Sequence, residues 1–161
     1  MANQTATTLI DEDQTTWRSY LLAARLLFEE LDKRLDTGAG LSLPDYTLLA
    51  RLRDAGEQGL RMSELADSAV FSRSRISHAI SRLESQGWVE RRSCPTDRRG
   101  SYASLTGTGR SKLDEAEPIH SAVIREHLIG SIGDDEVDVF RRVTDGIGRS
   151  LGAQPGDSAC G

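Results

Sequence analysis

The amino-acid sequence predicts a mainly α-helical fold that contains one small β-hairpin. Apolar residues recur at steps of three and four along most of the 161-residue chain, as they do on one face of an α-helix. Two short β-prone segments, WVERRSC and GSYASLT, flank the turn sequence PTDRRG and predict the hairpin. Arginines concentrate around that turn, although the whole chain has a net charge of −5.

Three helices are predicted before the basic segment. The first begins near Trp17 and ends at the DTGAG sequence. Its apolar residues are Trp17, Tyr20, Leu21, Ala24, Leu27, Phe28, Leu31 and Leu35. A second helix is predicted to begin near Pro44 and to end before Gly56. A third, short helix covers MSELADSA, with Ser63 as its N-cap.

The segment FSRSRISHAISRLESQGW predicts a fourth helix with a narrow apolar stripe and a polar outward face. Ile76, Ile80 and Leu83 form the stripe. The predicted outward-facing residues are Arg73, Ser74, Arg75, Ser77, His78, Ser81 and Arg82. Gly87 is expected to end this helix in the left-handed conformation.

Charge is distributed unevenly along the chain. Residues 71–110 contain eight arginines and only three acidic residues, so this segment has a net charge of +5 and the remainder has −10. A basic surface on an otherwise acidic protein predicts that this part of the molecule binds a polyanion.

Two further helices are predicted after Thr106. The first is expected to bend at Pro118, and both carry apolar residues at helical spacing. Together with the first helix they present longer apolar stripes than one small domain covers, which predicts a homodimer. Residues 1–14 are expected to form a disordered tail, and 152–161 a flexible one.

The order of the central elements is that of a winged helix-turn-helix, in which one helix enters the major groove of double-stranded DNA. Arginine can form paired hydrogen bonds with guanine or phosphate, and serine or histidine can contact either. We expect Ser74, Arg75 and His78 to approach bases, and Arg73 and Arg82 to hold phosphates. The whole predicted DNA-binding set is Ser72, Arg73, Ser74, Arg75, Ser77, His78, Arg82, Asp97, Arg98 and Arg99.

The segment from Met62 to Arg110 resembles the MarR family of bacterial transcriptional regulators. The family pattern has a Ser-x-x-aliphatic helix start, then Leu-Glu-x-x-Gly-x-aliphatic-x-Arg, an Asp-x-Arg wing and Leu-Thr. The matching residues here are Ser72, Leu83, Glu84, Gly87, Val89, Arg91, Asp97, Arg99, Leu105 and Thr106. The sequence LTGTGR departs from the pattern, because two glycines open a helix where the family usually has one. We expect that helix start to fray.

The resemblance covers about 17–151 and implies a winged helix-turn-helix domain at 44–106, with dimerisation helices at 15–36 and 107–151. It also implies a homodimeric repressor that a small-molecule effector releases from a pseudo-palindromic operator. Trp17, Tyr20 and Tyr46 are candidates for lining the effector pocket, although such aromatic residues equally fit a core or a dimer interface. In the family's Asp-x-Arg motif the arginine reaches the minor groove, a role that falls here to Arg99.

Two regulatory variants of this function are alternatives. Cys94, beside Arg91 and Arg92, could be a thiol switch because nearby arginines stabilise thiolate. His120 and His127 are seven residues apart and could share a helix face, but without a third strong ligand we expect no metal site and no cofactor. A winged helix that binds another protein instead of DNA is a further alternative.

Other classes of protein are disfavoured by the sequence. It contains no nucleophile–base motif or metalloprotease motif, so we expect no enzymatic activity. The most apolar stretch, YLLAARLLF, is short and is interrupted by Arg25, so no membrane span is expected. Two widely separated cysteines and the lack of a signal-like start predict a cytoplasmic protein.

Overall fold

Six α-helices and three short strands are present in the computed structural model, which describes residues 9–68, 73–93 and 101–152. The helices are α1 (Asp11–Ala39), α2 (Leu43–Asp54), α3 (Met62–Ser68), α4 (Arg73–Ser85), α5 (Gly107–Val123) and α6 (Val137–Ser150). The strands are β1 (Leu60–Arg61), β2 (Val89–Ser93) and β3 (Ser101–Leu105). A π-helical turn, Ile124–Leu128, follows α5. The predicted mainly helical fold is confirmed.

The core is assembled around α2, on which Tyr46, Leu48, Leu49, Ala50 and Leu52 are buried. On α4 the predicted stripe is confirmed, because Ile76, Ile80 and Leu83 are all buried. The other large side chains that are fully buried are those of Leu35, Leu41, Leu48, Leu49, Leu52, Leu65, Leu113 and Val123. The C-terminal part of α1 and most of α5 therefore pack on the central domain, whereas α6 buries none of its residues.

The sheet has the strand order β1-β3-β2, and both pairings are antiparallel. The predicted hairpin is confirmed, with a register that runs from Val89 opposite Leu105 to Ser93 opposite Ser101. The sequence did not predict β1, which places Leu60 opposite Ala103. A two-residue strand is too short to show the alternation on which strand prediction depends.

Helix ends differ from the predictions at two places. α1 begins at Asp11, inside the segment expected to be disordered, and its first turn contains Asp11, Glu12 and Asp13. Acidic side chains at this position interact favourably with the helix dipole. Ser63 lies within α3 and is not its N-cap, because that helix begins at Met62. The Glu64 carboxylate instead accepts a hydrogen bond from the backbone N–H of Arg61 at 2.8 Å.

The junction between β3 and α5 is well ordered by hydrogen bonds, in contrast to the frayed start that the two glycines predicted. Thr106 is the N-cap of α5, and its Oγ1 accepts from the backbone N–H of Gly109 at 3.0 Å. Its own N–H donates to the carbonyl of Trp88 at 3.0 Å. Gly87 has a φ of 73°, which confirms the left-handed end predicted for α4.

Within the described ranges, none of the helices combines the length and the apolar character that a membrane span requires.

Candidate nucleic-acid interface

The polar face predicted for α4 lies at the surface. Ser77, His78 and Ser81 are exposed, opposite the buried stripe of the same helix. β2 follows within four residues of the end of α4 and pairs with β3. A polar helix face next to a basic hairpin is the arrangement that can bind the major groove and the adjacent backbone of duplex DNA.

Several predicted contact residues are not among those whose side chains the structure describes. Arg73, Ser74 and Arg75 form the first turn of α4, which places them on the helix but gives no side-chain geometry. Ser72 and the three wing residues lie outside the described ranges, as does Cys94; the wing residues are Asp97, Arg98 and Arg99. Their roles stay predictions.

Arg82 lies on α4 and forms an ion pair with Asp45 of α2. Its Nη2 atom is 2.5 Å from the Asp45 Oδ1 atom. The Asp45 side chain is only 11% exposed, whereas the Arg82 side chain is 53% exposed. The Asp45 carboxylate is thus almost buried, and Arg82 supplies the positive charge that a buried carboxylate requires.

Arg82 lies at one edge of the exposed face of α4, and Arg91 of β2 contacts the opposite edge. Its Nη2 atom donates to the Ser81 hydroxyl at 2.7 Å and to the Ser77 carbonyl at 3.1 Å. Its Nε atom is 3.4 Å from a Glu84 carboxylate oxygen. Charge counting along the sequence treated Arg91 as part of a basic surface. Arg91 lies two positions after the buried Val89, and therefore on the same face of β2. This spacing was the available signal that Arg91 faces the domain.

A second set of polar side chains lies across the sheet. Tyr102 of β3 is opposite both Arg61 of β1 and Arg92 of β2. The Arg61 Nε atom donates to the Tyr102 hydroxyl at 2.8 Å. Arg92 forms an ion pair with Glu90 of its own strand. No local signal predicted these contacts across the sheet, because Arg61 belongs to β1, a strand that was not predicted.

A groove of about 770 Å³ runs between α1 and the C-terminal helical segments. Its lining is mostly apolar and includes Tyr20, Leu27, Phe28, Leu128 and Phe140, with Glu30, His127 and Thr144 as polar members. Of the three predicted pocket residues, Tyr20 lines this groove and the ring of Trp17 lies 6.1 Å from that of Tyr20. Tyr46 is elsewhere, buried in the core of the central domain.

Tyr46 and His120 join α2 to α5, which connects the central domain to the helices that flank it. Their rings are stacked, with centroids 4.4 Å apart and an angle of 20° between the ring planes. Arg53 of α2 forms an ion pair with Glu117 of α5 beside this stack. Partial burial holds the pKa of His120 below its usual value of 6.5, and the nearby Glu117 carboxylate offsets part of this effect.

We expect the unfolding temperature to fall as the pH is lowered below about 6.5, because the unfolded chain binds a proton at His120 that the folded chain resists. Replacing the ring by one that cannot titrate, His120→Phe, should reduce this fall. Thermal unfolding at pH 7.5 and 5.5 measures the difference. His78→Asn, at an exposed histidine on α4, is the control and should behave as the wild type. Equal falls for the wild type and His120→Phe would contradict the prediction.

The two histidines considered as metal ligands have different surroundings. His120 stacks on Tyr46, whereas His127 Nε2 lies 3.5 Å from the Arg34 guanidinium and 3.6 Å from a Glu126 carboxylate oxygen. Throughout the part of the chain that the structure describes, no three His, Cys, Asp or Glu side chains are grouped closely enough to hold a metal ion.

Comparison with known proteins identifies the family. A sequence model described as "MarR family" matches residues 39–100. The solved structure of Sco3205, a MarR family transcriptional regulator from Streptomyces coelicolor in complex with DNA, is 37% identical, covers 94% of this chain and 97% of that chain, and has a TM-score of 0.85. AbsC, a MarR family transcriptional regulator from the same organism, is 34% identical with coverage of 92% and 100% and a TM-score of 0.82.

A Bacillus subtilis protein named as an HTH-type transcriptional repressor, YetL, is 30% identical over 103 residues, which are 64% of this chain and 61% of that protein. The two Streptomyces structures match the chain over nearly its whole length, including α1, α5 and α6. The chain therefore belongs to the MarR family of transcriptional regulators, and its central part is a DNA-binding winged helix.

Proposed function

We propose that this regulator is a homodimer that represses transcription by binding a pseudo-palindromic DNA site. The observation that carries the DNA-binding part is the exposed polar face of α4 beside the hairpin, in the only segment with a strong positive charge. In a two-fold dimer two such helices would enter successive major grooves about 10 bp apart. The DNA-bound state of Sco3205 supports this use of the fold.

The dimer is supported by where apolar side chains are exposed. Among the described residues, all fourteen exposed large apolar side chains lie in 9–28 and 129–151, and none lies in the winged helix. Soluble proteins rarely leave a contiguous apolar surface uncovered. The occupant that fits is a second copy, because self-association along a two-fold axis would cover the same segments in both chains.

Repression and release by a small molecule are the finer parts of the proposal. Repression is supported by the relative YetL, which is named as a repressor. Release by an effector follows from the family resemblance alone, because the groove that Tyr20 lines is part of the apolar surface assigned here to the dimer. A dimer that occupies a promoter would block transcription until the effector lowers its affinity for DNA.

Selection of duplexes from a random-sequence pool tests the DNA-binding and dimer proposals together. We expect enrichment of a pseudo-palindrome, and we expect light scattering to give a complex of two chains per duplex. Transcription in vitro from a promoter that contains the selected sequence then tests repression. A monomeric mass for the folded protein, or enrichment of no sequence at low salt, would contradict the proposal.

The predicted wing pair gives a second test, which rests on sequence because Asp97 and Arg99 lie outside the described residues. Asp97 and Arg99 are two positions apart near the wing tip and can lie on the same side, where the Asp97 carboxylate can hold the Arg99 guanidinium extended towards the minor groove. We expect Asp97→Ala to weaken DNA binding by about 1 kcal/mol although it makes the wing more positive. Arg99→Ala should cost about 1–3 kcal/mol.

Fluorescence anisotropy with one selected duplex at fixed salt measures both variants. Arg99→Lys is the control for charge, and it should also be impaired because lysine lacks the planar guanidinium. Charge counting predicts the opposite sign for Asp97→Ala. If that variant binds more tightly than the wild type, the orienting role of Asp97 is wrong.

A further inference from the structure

The two edges of the exposed face of α4 are each fixed by a charged residue from a neighbouring element. On one edge Asp45 of α2 holds Arg82, and on the other Arg91 of β2 binds Ser77 and Ser81. At 100° per residue His78 falls between these two edges. The side chain in the middle of the face is thus flanked on both sides by polar contacts to the rest of the domain.

Such contacts matter because apolar packing holds α4 along only a narrow line. Ile76, Ile80 and Leu83 are its buried side chains among those described. A narrow stripe resists translation of a helix better than it resists rotation about the helix axis. Side chains reach roughly 5–6 Å from the axis, so a rotation of about 20° moves their ends by about 2 Å. A shift of that size breaks a hydrogen bond to a base edge.

The Asp45–Arg82 ion pair is the stronger of the two constraints. Asp45 lies in the first turn of α2, and Ser42 caps that helix by accepting from the Asp45 backbone N–H at 3.2 Å. The nearly buried Asp45 carboxylate is therefore attached to a well-defined helix end and is costly to leave unpaired. α2 in turn packs on α1 and α5, so the ion pair fixes α4 relative to the flanking helices.

We propose that Asp45 is a positioning residue, which holds Arg82 and thereby sets the rotation of α4 in the major groove. Arg82 then contributes to sequence specificity through its ion pair, and not mainly as the phosphate contact that the sequence predicts. This inference rests on the proposed DNA binding. According to this proposal, a carboxylate on α2 affects which bases α4 recognises.

A double-mutant cycle with Asp45→Asn, Arg82→Gln and the double variant tests the proposal. The probe is a duplex of about 30 bp, selected by the wild type and long enough for two half-sites, and the reference is a scrambled duplex of the same composition. We expect each single variant to lower the ratio of selected to scrambled affinity roughly tenfold, comparable to one mismatched base pair. The double variant should be no worse than either single one.

The dependence of affinity on salt separates positioning from phosphate contact. If Arg82 acts as a positioning partner, Arg82→Gln leaves the salt slope unchanged, and Arg82→Lys recovers part of the specificity ratio. If Arg82 neutralises a phosphate, Arg82→Gln lowers the slope by about 1.8, because the dimer loses two contacts of about 0.9 each, and it weakens both duplexes equally, while Asp45→Asn tightens both. The second pattern would overturn the proposal. Because Arg82 is half exposed, we expect Arg82→Gln and Arg82→Lys to fold. These two variants decide the test even if Asp45→Asn does not fold.

Glu117→Gln is the matched control. It removes an ion pair between α2 and α5 that does not involve α4. We expect it to leave the specificity ratio unchanged while lowering thermal stability. An equal loss of specificity in this control would mean that general loosening of the domain explains the effect, which would overturn the inference. Failure of the wild type to select any duplex would instead contradict the proposed function itself.

Discussion

The variant Phe140→Asp is expected to be monomeric and to lose high-affinity DNA binding. Phe140 lies on α6, is 40% exposed in the single chain and lines the apolar groove between α1 and the C-terminal helices. If a second copy covers this region, the substitution places an unpaired carboxylate in an apolar interface. An uncompensated buried charge costs about 3 kcal/mol or more.

In a symmetric dimer the substitution is present twice, so the dimer Kd should rise on the order of 10⁴-fold. DNA affinity should fall with it, because a monomer can occupy only one half-site at a time. Analytical ultracentrifugation across a concentration series measures the first effect, and anisotropy with the selected duplex measures the second. Circular dichroism establishes that the variant is helical.

Arg142→Asp is the control for added negative charge on the same helix. Arg142 is exposed and lies two residues from Phe140, about 200° around the helix. This variant should remain dimeric and should bind DNA with nearly wild-type affinity. If Phe140→Asp keeps the wild-type mass and affinity, α6 is not part of the dimer interface.

Periodic features of the fold were predictable because they repeat along the chain. The stripe of Ile76, Ile80 and Leu83 repeats at helical spacing, and the strands of the hairpin flank a turn sequence. These signals are local, and the structure confirms both. The strand that pairs Leu60 with Ala103 has no local signal, because only its hydrogen bonds to a distant strand define it.

Polar contacts between distant residues were not predictable for a related reason. Asp45 and Arg82 are 37 positions apart, and the sequence around each residue does not indicate that the two form an ion pair. Composition alone therefore treats every arginine of the basic segment as available for DNA. The structure describes Arg82 and Arg91 as partners of residues within the domain. The surface charge at the edges of α4 is accordingly smaller than the sequence count indicates.

The two glycines at the start of α5 show how similar residues in a sequence can have unequal roles. A Cβ atom built on Gly109 would lie 2.0 Å from the carbonyl oxygen of Trp88, whereas one built on Gly107 meets no atom within 4 Å. Gly109 thus permits the start of α5 to pack directly on the backbone that follows α4. Gly107 occupies open space, and nothing in the contacts around it requires a glycine.

We therefore expect Gly109→Ala to be strongly destabilising. The atom in the way belongs to the backbone, and the same Trp88 carbonyl accepts the hydrogen bond from the N–H of Thr106 at 3.0 Å. Relief of the clash would move that carbonyl and disturb the end of α4 together with the start of α5. Overpacking typically costs about 1–3 kcal/mol, and a backbone obstacle places Gly109→Ala at about 3 kcal/mol. For a chain of this length that corresponds to a fall of about 6–12 °C in Tm.

Gly107→Ala is the matched control, because it makes the same chemical change two residues before Gly109 in the same helix. Neither glycine has a positive φ, so alanine fits the backbone conformation at both positions. Alanine is the better helix former, so Gly107→Ala should be neutral or up to about 1 kcal/mol stabilising. Thermal and urea unfolding of the two variants measures the contrast. Equal stabilities would mean that the approach of α5 to Trp88 does not constrain the domain, and that the two glycines are interchangeable.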